Sequence, residues 1–260
     1  MKQQKDYSQI VASFSGGRSS ALMTKILCDN DKNTIVVFAN TGKEHEKTLK
    51  FVHDFEVNFG IKIVWLESEN SKQGFRIVDY NTASRIGEPF ESLIKKRKYL
   101  PNVMTRFCTT ELKIRPISKY MQSLGFKNWT NAIGFRYDEP NRIAKINKRK
   151  ERYNTTVPLN DFCLTKQDVL EFWSKQVFDL DIPEYLGNCD CCFLKGINKI
   201  KKIEKETPKM LDWWISQESK IGATFRKDRP LKMLRYLVAT QPMLWDNLEQ
   251  QDIDCMCNVD

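Results

Sequence analysis

A turn of two glycines framed by hydroxyls, Ser15-Gly16-Gly17-Arg18-Ser19-Ser20, stands between a short apolar run and a stretch of helical spacing. Glycines let the backbone turn tightly and come close to an anion. The helix that follows aims its free N–H groups and the positive end of its dipole at that anion. The serine hydroxyls add donors. No Gly-x4-Gly-Lys-Ser/Thr occurs in the chain, so the loop that cradles a transferable terminal phosphate is absent and a different nucleotide geometry is expected. Two more loops carry suitable groups. Asn40-Thr41-Gly42 ends a second apolar run, where open α/β sheets place their ligands. Gly134-Phe135-Arg136-Tyr137-Asp138-Glu139, followed by Arg142, offers two guanidiniums suited to phosphate or sulfate. The candidate binding residues are therefore Ser15, Gly16, Gly17, Arg18, Ser19, Ser20, Asn40, Thr41, Gly42, Gly134, Arg136 and Arg142. Ser20, Arg136 and Asp138 are the candidate catalytic groups. Salt bridging is an equal reading of Asp138 and Glu139, so neither is assigned as general base.

Thiols form the second chemical set. Cys189 and Cys192 make a CxxC on a segment that Gly187 and Asn188 incline to turn, a common half-site for zinc or an iron-sulfur cluster. Cys255 and Cys257 form a second pair near the end, and the four together would satisfy a tetrahedral zinc. Cys28 and Cys163 read as small buried hydrophobes, and Cys191 as a spare thiol.

The elements that must position these groups alternate. Ile10 to Phe14 reads as a strand, Ser20 to Asp29 as a helix, Thr34 to Ala39 as a strand, Glu46 to Phe59 as a helix and Ile61 to Leu66 as a third strand. This is the βαβαβ pattern of a parallel sheet. From Glu67 to Pro101 the pattern weakens to loops and one short helix around Phe90 to Lys96. Pro116 opens a helix that Gly125 ends, and Trp129 to Gly134 reads as a fourth strand. Beyond it the chain turns helical over Thr165 to Gln176, Asn198 to Lys205, Pro208 to Ile221 and Pro230 to Thr240. Trp213 and Trp214 read as core rather than as a base-stacking surface. Two parts are expected, a nucleotide-binding α/β part over 1–160 and a helical, cysteine-bearing part over 161–260.

The chain carries 42 Lys and Arg against 33 Asp and Glu, a net charge of +9 that favours an anionic partner such as a nucleotide or nucleic acid. Much of the excess lies in Lys145 to Arg152 and Lys195 to Lys209. No apolar run approaches the roughly 18 residues that cross a bilayer, and Met1 to Gln9 is polar, so a cytoplasmic location without membrane contact is expected. In that reducing compartment eight cysteines argue for metal, catalysis or burial over disulfides. The oligomeric state is not readable.

SGGRSSALM, FANTGKEHEKTLKFV, RFCTTELKIRP, GFRYDEPNR and GNCDCCFLKG follow one another in this order. Together they resemble the phosphoadenosine phosphosulfate (PAPS) reductase-like family of the PP-loop superfamily, in its branch common in phages and mobile elements. The PP-loop subunits of DNA phosphorothioation systems are similar. The resemblance implies an adenine nucleotide alpha hydrolase-like fold, with a doubly wound, mostly parallel five-stranded sheet. It implies that SGGxxS grips the pyrophosphate of ATP with Mg2+ and leaves the α-phosphate open to attack, yielding AMP and pyrophosphate. An activated acceptor, nucleic acid by the charge balance, would then take sulfur, with a donor protein as a further partner. Cys108, in the recurring CTTELK motif, would join Cys189, Cys192 and one of Cys255 and Cys257 around a 4Fe-4S cluster, zinc being the alternative. One departure stands out. The reductases' Glu-Cys-Gly-x-His nucleophile motif is absent, His45 and His53 being the only histidines. A sulfonucleotide reductase that releases sulfite, and a non-catalytic binding module with structural zinc, are the alternative functions.

Overall fold

The structure, a computed structural model, describes residues 9–147, 153–183, 185–227 and 229–240. Its strands are β1 (Ile10–Phe14), β2 (Ile35–Asn40), β3 (Ile63–Ser68), β4 (Phe75–Val78), β5 (Thr130–Ala132) and β6 (Asn154–Thr156). Its helices are α1 (Arg18–Asn30), α2 (Glu46–Phe59), α3 (Glu88–Arg97), α4 (Phe107–Thr109), α5 (Arg115–Ser123), α6 (Pro140–Asn147), α7 (Pro158–Asp161), α8 (Lys166–Ser174), α9 (Ile197–Glu206), α10 (Asp212–Ile221) and α11 (Leu231–Thr240). A π-helical turn, Thr110–Ile114, joins α4 to α5, and a 3-10 turn, Pro208–Leu211, precedes α10.

The strands form one sheet in the order β4-β3-β2-β1-β5-β6, parallel except for the antiparallel pair β3 and β4. From β1 the chain first builds outward through β2 to β3, then returns to place β5 on the other side of β1. The order therefore reverses at β1, and a crevice opens at the carboxyl ends of β1 and β5.

Apolar spacing accounts for the inner elements. α2 buries Leu49, Phe51, Val52 and Phe55, starts at His45, whose ring accepts from Lys47 N, and ends at Gly60 in the left-handed region at φ 63°. Phe51, Phe55 and Phe59 pack around Trp173 of α8 at centroid distances of 4.9, 6.4 and 6.4 Å. Truncating a ring such as Phe55, fully buried, would cost about 3–5 kcal/mol. One cluster of buried residues runs continuously from Ala12 in the sheet through Trp173 to Trp214 and Leu234 in the helical part.

Six strands stand among the described residues where five were expected. β4 hides in sequence because only Phe75 of its four residues is buried, and it is formed by pairing back onto β3. β6 reads Asn-Thr-Thr, with no apolar signal, and is drawn into the sheet by β5. Trp214 is buried and Trp213 packs against the same core. Cys163 corrects the expectation of burial: it is exposed, at φ 57° in the turn after α7. No described helix is long and apolar enough to cross a membrane.

Candidate functional site

The glycine turn lies where the crevice opens. Gly16 sits at φ 85°, and a Cβ there would lie 2.4 Å from Thr48 Cγ2 of α2, so conformation and space both demand glycine. Gly17 caps α1 without a side-chain hydrogen bond, and the first helical bond is Ala21 N to Gly17 O. The N–H groups of Arg18, Ser19 and Ser20 thus precede any intrahelical acceptor, the arrangement that holds anions. Ser20 Oγ donates to Gly17 O at 2.9 Å, lies 2.9 Å from Ser15 Oγ and accepts from Ser15 N at 3.1 Å, so the hydroxyls brace the turn.

The loop after β5 closes the other side. Gly134 runs so near α1 that a Cβ would lie 2.7 Å from Ser20 Cα. Next to it Arg136, buried, reaches Ser19 Oγ at 3.3 Å and Asp138 Oδ1 at 2.9 Å, while Glu139 accepts from its backbone N. Asp138 also accepts from Lys166 N at 3.2 Å. Arg142 pairs with Glu139 and stacks over Phe135 at 4.0 Å. Two guanidiniums are therefore held beside the turn by carboxylates that fix their direction.

A cleft descends from this rim along the sheet. Ser15, Gly17, Ser19, Ser20, Gly134 and Arg142 line it together with the apolar Val37, Ala39, Ile117, Trp129 and Ile133. Lys113, from the π-helical turn, adds a third cation while it faces Glu44 at 3.4 Å. The spacing of residues in sequence gave no sign of Lys113, because it faces the cleft only through the π turn.

The remaining candidates lie elsewhere. Arg18 turns away to Asp179, at 2.7 Å, and to Leu180 O, tying α1 to the segment after α8. Asn40, Thr41 and Gly42 do not line the cleft. Asn40 donates to Glu67 and Ser84 O, Thr41 donates to the Glu44 carboxylate, and Gly42, at φ 78°, packs on Pro89 and Gly87. They shape the β2 loop from inside.

That loop carries the CxxC segment. His45 N donates to Asn188 O, Asp190 N donates to Lys43 O, and Glu44 bridges to Cys189. Beneath these bonds Lys43 Nζ and Asp190 Oδ2 meet at 2.6 Å, both nearly buried. Trp214 Nε1 donates to Asp190 Oδ1, and Trp213 lies under Lys43. Burial pushes the Asp190 carboxyl up, against the pull of Lys43 and the hydrogen bonds it accepts. Burial likewise lowers His45 and pushes the Cys191 thiol up to about 12, so Cys191 is a poor thiolate donor.

Cys108, Cys189 and Cys192 are each half-buried, but no three Cys, His, Asp or Glu side chains among the described residues gather closely enough to hold a metal. Cys255 and Cys257 lie outside the described residues. The described donors alone do not fit a cluster or a zinc, and no chemical step is drawn through one.

Comparison with known proteins places this architecture. The model of the phosphoadenosine phosphosulfate reductase domain matches residues 9–177, from β1 through α8. An uncharacterized nin region protein of Escherichia phage lambda is 36% identical over 202 residues, covering 73% of this chain and 67% of its own. An uncharacterized protein of Methanocaldococcus jannaschii is 29% identical over 217 residues, covering 79% of this chain, which spans only 40% of that relative's length. Among solved structures, a PAPS reductase from Candida auris in a phosphate complex aligns with TM-score 0.41 at 11% identity, over 65% of this chain and 73% of its own. The U34-tRNA thiolase NcsA from Methanococcus maripaludis with its [4Fe-4S] cluster aligns with TM-score 0.42 at 15% identity, over 86% and 76%. The matched span takes in the whole sheet, the glycine turn and both guanidiniums, and the chain belongs to the phosphoadenosine phosphosulfate reductase domain family.

Proposed function

We propose that this chain is an adenine-nucleotide enzyme that cleaves ATP to AMP and pyrophosphate and so activates an acceptor for sulfur transfer. The observation that carries the reading is the start of α1, without a side-chain cap, facing a cleft at the strand-order reversal with Arg136 fastened to Ser19. In this reading the N–H groups of Arg18 to Ser20 hold the phosphate chain, and Arg136 and Arg142 neutralise its charge. Mg2+ would accompany the nucleotide. An acceptor oxygen attacks the α-phosphorus, the bond to the pyrophosphate oxygen breaks, and pyrophosphate leaves with the electron pair. A sulfur nucleophile from a donor protein then displaces AMP. Nucleic acid is the proposed acceptor, on the net charge of +9. Cys108, Cys189 and Cys192, with Cys255 or Cys257, are the proposed metal-ligand set, and the first three would have to draw closer together than they stand here to hold the metal.

Incubation with ATP, Mg2+ and candidate acceptors, followed by chromatography for AMP and a pyrophosphate assay, tests this. Equal AMP and pyrophosphate, lost in Arg136→Gln, is the expected result; a protein that neither binds ATP nor yields AMP refutes it. Sulfite release from PAPS with a thioredoxin-like donor would establish the second reading, a sulfonucleotide reductase, which the matched family model favours.

A further inference from the structure

Below the glycine turn the cleft continues down the sheet, and its lower end has a composition the phosphate site does not account for. The walls there are apolar: Val37, Ile117 and Ile133, with Trp129 and Tyr153 stacked at 5.5 Å and 23°. Into this setting the two central strands bring a hydroxyl and a carboxamide. Ser13 and Asn131 both line the cleft, and Ser13 Oγ donates to Asn131 Oδ1 at 2.7 Å. Asn131 is 7% exposed, yet its NH2 group has no partner among the described residues. The Trp129 indole N–H is unpartnered as well, but it is closed off from the cleft, so Trp129 offers the cleft only its ring. Polar groups left open in an apolar cavity cost stability unless a ligand completes them, and a cleft lined by aromatic and aliphatic side chains suits an aromatic ring.

We infer that Ser13 and Asn131 form the base-reading end of the nucleotide site and select adenine. The inference rests on the reading that an adenine nucleotide is the ligand, and is the same for ATP and PAPS. A carboxamide matches the adenine edge, one oxygen accepting from the exocyclic amine and one NH2 donating to a neighbouring ring nitrogen. Ser13 sets the direction: by donating to Oδ1 it takes one lone pair, leaves the other for the amine and turns the NH2 toward the ring. Guanine presents an acceptor where adenine presents its amine and a donor where adenine presents its ring nitrogen, so it leaves both ends of the carboxamide unpaired, whereas a purine without the amine leaves only the oxygen unpaired. Ser13 is a positioning residue; Asn131 is the specificity residue.

Equilibrium binding of ATP, GTP, purine riboside triphosphate and pyrophosphate to the full chain tests this. The wild type is expected to prefer ATP over the other two triphosphates by roughly tenfold or more. Asn131→Leu should weaken ATP by about as much, weaken purine riboside triphosphate less, leave pyrophosphate unchanged, and so erase the preference. Asn131→Ser is the fallback should the leucine variant fold poorly. A wild type that binds ATP without preferring it, or variants that keep the preference, overturns the inference with the proposed function intact. A wild type that binds no nucleotide removes the proposed function and the inference with it.

Discussion

Replacing Gly134 with alanine isolates the contact on which the nucleotide site depends. The added methyl would lie 2.7 Å from Ser20 Cα, 2.8 Å from Ser20 N and 3.1 Å from Ser19 C. Ordinary contact begins near 3.4 Å, so the β5 loop and the first turn of α1 must separate by roughly 0.7 Å. All three obstacles are backbone, which cannot rotate aside as a side chain does. Gly134 is not in the left-handed region, so alanine meets no conformational penalty and the effect is steric alone. Overpacking of this kind costs about 1–3 kcal/mol, which lowers the melting temperature of a chain this size by roughly 2–12 °C. The same displacement moves the Ser19 and Ser20 N–H groups and the Arg136 contact away from the phosphates. A misplacement near 1 Å costs about a hundredfold in rate, so pyrophosphate release should fall ten- to a hundredfold. Scanning calorimetry and a coupled pyrophosphate assay measure the two effects. Gly60→Asn is the control, since asparagine tolerates the left-handed region and a Cβ there meets nothing within 4 Å. A Gly134→Ala protein with unchanged melting and pyrophosphate release within about twofold of wild type would refute the argument.

Three further outcomes follow from the same geometry. Asp190→Asn or Lys43→Met alone should destabilise the chain by about 3–5 kcal/mol in urea unfolding, because each strands a buried partner, while the double change to Met and Asn, which keeps an oxygen for the Trp214 indole, should recover most of the loss. Maleimide labelling at pH 8 should leave Cys28 and Cys191 unmodified until denaturant is added, burial having pushed their thiols up to about 11 and about 12, whereas exposed Cys163 should react at once. Hydrogen bonds from Thr165 hold the Asp168 carboxyl below its usual 3.8, and a depressed folded value stabilises only above the unfolded one. The capping box at α8 should therefore weaken as pH falls below about 4, with α8 amides exchanging faster, an effect absent in Asp168→Asn.

The inner half of the fold was legible because local signals and tertiary demands agree there. Glu46 to Phe59 carries apolar residues at helical spacing, and the helix found has those bounds; Ile10 to Phe14 reads and folds as a strand. The glycine turn was legible because two glycines between an apolar run and a helical stretch mark a tight turn locally, and the packing of Thr48 against Gly16 adds a second demand for glycine that the local sequence does not record. The edge strands were not, because Phe75–Val78 and Asn154–Thr156 form only through the hydrogen bonds of a neighbour. The site was divided in the same way. Composition named the residues able to hold an anion, but the direction of a side chain depends on partners far away in sequence. Asp179 draws Arg18 away from the cleft, Glu67 engages Asn40, and Ser19 and Asp138 turn Arg136 toward the helix start. Ser13 and Asn131 carry no motif, and stand 2.7 Å apart only because β1 and β5 are neighbours. Sequence by itself determined which backbone could turn and which groups could bind; packing decided which of them face one another, because that is a property of strand order and burial that no local spacing records.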